Sequence, residues 1–245
     1  MGIKQTLISF MKDEAYRPMD IQELAAIFDI DKDEFKAFKK ALKTMEKEGL
    51  IVKNKKERYA IPSRMGLLSG KLQSHPKGYA FLIPDNEKEK DVFIPASFIN
   101  GAMNGDKVLV QVTKEDKGSR KREGEVIKIV ERANKKFVGT FEDSKNFGFV
   151  VVDDTRISQD IFINKKDFNG AKNGDVVTVE ITKWPDKRRS PEGIVTEILG
   201  KKGDKGLDIL TIIKKFGLPE EFPAKVLNFA EAIPNEIEEK EYKRR

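Results

Sequence analysis

The 245-residue chain has no cysteine and a single histidine, which excludes disulfides, thiol nucleophiles, cysteine-ligated zinc and histidine metal clusters. Against 41 acidic residues stand 47 lysines and arginines, a net charge of +6 that favours polyanions, nucleic acid before anionic membrane. No run of about eighteen apolar residues is present to span a membrane, and the amphipathic, early-acidic start MGIKQTLISFMKDEAY is no signal peptide, so a cytoplasmic protein is expected.

The first third of the chain has helical periodicity. Ile3, Leu7, Phe10 and Met11 form one apolar stripe. Asp20 caps a short second helix bearing Ile21, Leu24, Ala25 and Phe28, with Glu23 completing a capping box. Asp31 is expected to cap a third helix, where Phe35, Phe38, Leu42 and Met45 share a face and Gly49 is the stop. LIVKNKKERYAI then alternates around a basic turn as a hairpin would, and three helices followed by a hairpin is the winged-helix order over residues 1–62. Lys36, Lys39, Lys40 and Lys43 lie off the apolar face of the third helix, and Lys55 and Lys56 sit at the hairpin tip. All six are candidates for phosphate contact, while nothing on that helix suggests base readout in a major groove.

A duplication follows. NGAMNGDKVLVQV (Asn100 to Val112) matches NGAKNGDVVTVEI (Asn169 to Ile181) at a spacing of 69. DVFIP (Asp91 to Pro95) answers to DIFIN (Asp160 to Asn164), KGYAFLI (Lys77 to Ile83) to KNFGFVV (Lys145 to Val151), and EGEVIKIV to EGIVTEIL. Each copy holds five strand-like runs in a span that suits a closed barrel of the oligonucleotide-binding type, placing barrels over 66–134 and 135–200 with a helical tail over 201–245. The expected fold class is therefore multidomain α+β.

The aromatic residues carry the chemistry. Single strands bind by stacking bases on exposed rings along a basic groove. Tyr79, Phe81 and Phe93 form one candidate platform, and Phe147, Phe149 and Phe162 the other. Alternation separates these rings from Val92, Ile94, Ile161 and Ile163 but leaves open which set faces inward. Basic loops between the last two strands of each copy offer phosphate contacts at Arg120, Lys121 and Arg122, then at Lys187, Arg188 and Arg189. Trp184, in the second loop, is expected to cover its own barrel. Asp153 and Asp154 follow a strand directly and read as turn chemistry. No GxSxG nucleophile or GxxxxGK phosphate loop occurs.

KGYAF and KNFGF resemble the KGFGF signature of cold-shock domains, and DVFIP and DIFIN resemble that family's second motif. The resemblance implies that the six rings point outward to stack bases while the aliphatic residues between them fill the barrel. It also aligns Lys77 and Lys145 with the lysine that precedes the first motif. Pro95 and Asn164 stand where the family has histidine, and the first-strand tryptophan is absent, with His75 nearby in sequence.

The order of parts, together with YAIPSRMGLLSGKL (Tyr59 to Leu72) and DILTIIKKFGLPEEFP (Asp208 to Pro223), resembles the amino-terminal region of ribonuclease R, the processive 3′-to-5′ exoribonuclease family. In that family the tail opens a catalytic domain whose aspartates, in a DxxDxDD motif, bind magnesium. No such motif occurs here. The resemblance implies an amino-terminal piece with no catalytic residue and no cofactor of its own, magnesium belonging to the full enzyme. Its implied partners are single-stranded RNA, structured RNA second, and the catalytic domain of the full-length protein, with no membrane. A free-standing cold-shock RNA chaperone is the first alternative and a winged-helix DNA regulator the second. The tail helices, with Ile209, Ile212, Ile213, Val226, Leu227 and Phe229, are expected to be less well ordered than the barrels.

Overall fold

The computed structural model describes residues 2–115, 122–186, 189–219 and 222–233. Helices α1 (Ile3–Lys12), α2 (Ile21–Ile27) and α3 (Phe35–Lys47) precede a two-stranded antiparallel hairpin, β1 (Val52–Lys53) and β2 (Tyr59–Ala60). Leu7, Met11, Leu24, Leu42 and Met45 are wholly buried, so the apolar stripes of all three helices meet in one core. The Asp20–Glu23 capping box forms as expected, the Asp20 carboxylate accepting from the amides of Gln22 and Glu23. Helix α3 starts later than its sequence suggests. Asp31 instead caps a preceding turn, accepting from Asp33 and Glu34 amides at 2.9 and 2.8 Å, and the helix begins at Phe35. Met19, between α1 and α2, pairs with Tyr59 as an isolated antiparallel bridge beside the hairpin.

Two closed five-stranded barrels follow. The first comprises β3 (Leu67–Ser74), β4 (Ala80–Pro84), β5 (Val92–Ile94), β6 (Lys107–Lys114) and β7 (Glu123–Glu131), in the spatial order β3-β4-β5-β7-β6. The second comprises β8 (Lys136–Asp143), β9 (Phe147–Val152), β10 (Ile161–Asn164), β11 (Asp175–Lys183) and β12 (Glu192–Lys201), in the equivalent order. In both, the first strand pairs with the fourth and the third runs parallel to the fifth, which closes the sheet and leaves no edge. This is the oligonucleotide-binding topology inferred from the repeat.

The duplicated NGAxNGD segment is structural. Its first asparagine, Asn100 or Asn169, has a φ of 50° or 47°, a left-handed conformation that asparagine tolerates better than most residues. Each side-chain amide donates to a carbonyl of the last strand, Val126 or Val195. The second asparagine accepts from the backbone near the end of the first strand, Asn104 from Ser74 and Asn173 from Asp143. The buried aspartates Asp106 and Asp175 then close the turn, each accepting an amide three residues back at 2.8 Å. Most polar groups under the turn are thereby satisfied internally, the Asn100 side-chain oxygen being the exception.

Helices α4 (Leu207–Phe216) and α5 (Ala224–Glu231) form the tail. Leu207 packs with Leu199, Val138 and Val176 on the outside of the second barrel, and Lys214 pairs with Glu197 at 2.7 Å. Ile209, Phe216, Phe222 and Phe229 remain mostly exposed. Among the described residues no helix is long and apolar enough to cross a membrane.

Candidate nucleic-acid interface

Strand alternation splits the apolar residues of each hairpin into two sets. Ala80 and Leu82 on β4, and Val92 and Ile94 on β5, are 0% exposed and fill the first barrel. Phe81 and Phe93 lie opposite one another on the outer face, half-buried, with ring centroids 5.6 Å apart. Tyr79, just ahead of β4, joins them at 5.8 Å from Phe81 and 5.4 Å from Phe93. The second barrel repeats the arrangement. Val150, Ile161 and Ile163 are fully buried, while Phe147, Phe149 and Phe162 cluster outside with centroids 5.4–5.8 Å apart. The question left open by alternation is thus answered by burial: aliphatic residues inside, rings outside.

The two hairpins differ in how they fill the barrel beneath the rings. Register makes Leu72 equivalent to Phe141 and Ala80 equivalent to Gly148. Phe141 is the larger plug, and a Cβ at position 148 would lie 2.5 Å from its ring. A glycine between two platform phenylalanines is therefore demanded by the plug under it.

His75 belongs to the first platform, which its place in the sequence did not reveal. Its ring stacks on Tyr79 at 4.3 Å with an 8° angle between planes. The signal was the turn HPKGY, in which Gly78 donates to the His75 carbonyl and brings the flanking rings face to face.

The basic candidates separate by environment. Lys77 and Lys145 are exposed beside the two platforms, and Lys145 sits in a left-handed turn closed by Asp143. Arg122 is engaged: Glu89 accepts from it at 2.7 Å and Glu115 lies within 3.1 Å, so its proton is held more tightly than usual, chiefly by Glu89. The Arg122 carbonyl also receives the Phe93 amide, which ties that ring to the loop before β7. Arg189 is exposed and pairs through its backbone with Asp186. Arg120, Lys121, Lys187 and Arg188 lie outside the described residues. Lys36, Lys39, Lys40 and Lys43 are exposed along α3, as are Lys55 and Lys56 between β1 and β2.

The barrels are joined by a contact the sequence hid. Arg132, between β7 and β8, lies 4.0 Å over the Trp184 ring and donates to Asp106 at 2.8 Å and to the Gly101 carbonyl at 2.9 Å. Burial pulls the Arg132 proton affinity down, opposed by the Asp106 charge. Trp184 packs against the second barrel, as expected, and also meets the linker. Asp154 is held below the usual carboxylate range by two hydrogen bonds from Arg156, and among the described residues no group of three or more carboxylate or imidazole side chains is placed to hold a metal ion.

Comparison with known proteins agrees with this geometry. A Ribonuclease B OB domain model matches residues 70–129, in the first barrel, and a Cold shock domain model matches residues 149–223, from the second barrel into the tail. Ribonuclease R of Acidithiobacillus ferrooxidans is 32% identical over 237 residues, covering 94% of this chain and 53% of that protein. The Thermotoga maritima and Aquifex aeolicus ribonucleases R are 33% and 36% identical, covering 97% and 94% of this chain but 33% and 32% of their own lengths. Among solved structures, Mycoplasma genitalium RNase R in complex with ribose methylated single-stranded RNA superposes with a TM-score of 0.60 at 20% identity, over 71% of this chain and 28% of that one. Yeast Ssd1, a pseudonuclease, reaches 0.53 at 18%, over 62% and 25%. At those identities the likeness is one of fold. The chain spans about half or less of the curated relatives it matches, and over nearly all of its own length it is a homologue of ribonuclease R.

Proposed function

We propose that this chain is the RNA-capturing part of a ribonuclease R-type 3′-to-5′ exoribonuclease. It binds single-stranded RNA on two aromatic platforms and passes it to a magnesium-dependent catalytic domain. One observation carries the reading: in both barrels three clustered rings lie half-buried on the outer face while the aliphatic residues between them are completely buried. A folded chain has no packing reason to hold three such rings outside twice over, and base stacking supplies one. A structural relative of the same fold is described in complex with single-stranded RNA, which supports the same ligand class. Among the described residues no cluster of three carboxylates is placed to hold magnesium, and in this reading the metal belongs to the catalytic domain.

In this reading α1–α3 with β1–β2 is a winged helix. Its order of elements and the Met19–Tyr59 pairing support that assignment, and the exposed lysines of α3 supply phosphate contacts. The test is fluorescence anisotropy with labelled single-stranded RNA at stated salt. Phe81→Ala with Phe93→Ala removes half of one platform and should weaken binding by roughly five- to 150-fold for each base unstacked. The rings lie outside the barrel, so circular dichroism should be unchanged. Unaltered affinity in a folded variant refutes the proposal; loss of folding would return the rings to the core.

A further inference from the structure

The two barrels close differently at the seam between their third and fifth strands. In the second, β10 pairs with β12 at two positions, Phe162 with Glu192 and Ile163 with Gly193. In the first, among the described residues, β5 pairs with β7 at Phe93 and Glu123 alone. Just before each seam a carbonyl accepts the amide of a platform ring: Pro191 from Phe162 at 2.8 Å, and Arg122 from Phe93 at 2.9 Å. At Pro191 nothing more is offered, but Arg122 adds a charged side chain. Its guanidinium donates to Glu89 of the β4–β5 loop at 2.7 Å and lies 3.1 Å from Glu115, just past β6. Only 17% of that side chain is exposed. The other end of the same loop is pinned too. Asp85 accepts from the Ser69 hydroxyl at 2.7 Å, and its amide donates to the Ser69 carbonyl. One cation facing two carboxylates leaves this spot with a net negative charge, which repels phosphate at short range.

We propose that Arg122 is a positioning residue of the first platform and not a phosphate contact. By holding the β4–β5 loop against the start of β7, it fixes Phe93 beside Phe81 and Tyr79 in the arrangement that receives bases. The inference rests on the RNA-binding reading above and gives this arginine a role opposite to that of a free cation in a basic loop. A phosphate reaches the guanidinium only by displacing a carboxylate that already accepts a charge-assisted bond from it. The exchange is of one anion for another, with the second carboxylate still beside the incoming charge. The short seam explains the need for a clamp. With one strand pair at β5–β7, the place of β5 depends on contacts from its flanking loop. The second barrel, with the longer seam, has a proline at this point and closes without an ion pair there.

The experiment uses the whole chain, labelled single-stranded RNA, and the variants Arg122→Ala, Glu89→Gln and both together. The two roles differ in sign at Glu89. If the pair holds the platform, Glu89→Gln weakens RNA binding as Arg122→Ala does, and the double variant binds no worse than the weaker single one. Each loss should be about five-fold or more, the least expected for one base no longer stacked. If Arg122 served phosphate, Glu89→Gln would release it and tighten binding. Salt separates the roles again. Removing a phosphate contact lowers the slope of log affinity against log salt by about 0.7 for a single strand, whereas removing a positioning residue leaves the slope unchanged. Without RNA, hydrogen exchange at the Phe93 amide should quicken in both single variants while the Phe162 amide keeps its parent rate. Should Arg122→Ala lose its fold, Glu89→Gln, at a partly exposed loop position, carries the sign and exchange tests alone. Tighter binding by Glu89→Gln, a lower salt slope in Arg122→Ala, or parent-like exchange at Phe93 overturns the assignment. If the parent binds no RNA, the RNA-capturing reading fails and this assignment with it, whatever the exchange at Phe93 shows.

Discussion

Gly148→Ala is the sharpest probe of how the second barrel carries its rings. The added Cβ would meet Phe141 ring atoms at 2.5 and 2.6 Å and the Glu142 carbonyl oxygen at 3.0 Å. Phe141 cannot retreat freely, because Phe168 packs edge-on against it at 4.7 Å. Overpacking of this kind costs about 1–3 kcal/mol. The backbone φ here is not left-handed, so alanine also recovers about 0.4–1 kcal/mol by restricting the unfolded chain. The net expectation is a loss of about 1–2 kcal/mol, which lowers the melting midpoint of a unit this size by about 4–8 °C per kcal/mol. The first barrel already contains the complementary solution, Leu72 with Ala80. Phe141→Leu alone should cost about 1–3 kcal/mol by leaving a void. Combined with Gly148→Ala it should cost less than the two separate losses added, with a coupling of about 1 kcal/mol or more. Trp184, the sole tryptophan, packs on this barrel, so its fluorescence during urea unfolding reports the relevant transition. Additive costs, or a Gly148→Ala protein as stable as its parent, would refute the account of the glycine.

Removing Arg132 as Arg132→Ala leaves the 1%-exposed Asp106 without its cation, a change that costs about 3–5 kcal/mol for a buried pair. It should also shift Trp184 emission to longer wavelength, and a loss under 1 kcal/mol in thermal unfolding would contradict the joint. Asp20→Ala should destabilise the amino-terminal unit by about 0.5–2 kcal/mol and reduce its helical circular dichroism, since the Gln22 and Glu23 amides lose their acceptor while the residue-20 amide keeps its bond to Glu23. Because Arg156 depresses the folded-state pKa of Asp154, their pairing stabilises the fold above the ordinary carboxylate value and is lost as pH falls through the lower folded value. Asp154→Asn should therefore be less stable than the parent at neutral pH, and the gap should shrink as pH is taken below the ordinary carboxylate value of about 4.

Local patterns in the chain were informative wherever one segment decides the outcome. The repeat led to two barrels of matching topology, and the capping box at Asp20 and Glu23 formed as written. The two sets of residues on each hairpin were visible, but not their orientation, because rings and aliphatic residues are both apolar and alternation has no sign. Choosing the inner set needed either a family likeness or burial itself. Arg132 was illegible for a different reason: its partners lie at positions 101, 106 and 184, and no spacing rule joins a linker arginine to them. Asp31 misled because its side chain caps a turn that merely leads into the helix, and local hydrogen bonding looks alike in both.

The carboxyl end of helix α3 is held from two directions. Gly49 takes a φ of 70°, and a Cβ there would strike Val130 of β7 at 2.6 Å. Lys128, on that same strand, donates to the Glu46 carbonyl at 2.7 Å and sets a cation against the negative end of the helix. A strand 82 residues further along thus reinforces a local cap, in which the Gly49 amide donates to the Glu46 carbonyl and the Leu50 amide to that of Met45. Protein made without the first barrel would keep the local cap of α3 and lose the Lys128 cation at its last turn. The natural severing point suggested by chain order, between β2 and β3, is consequently a cut through a shared element.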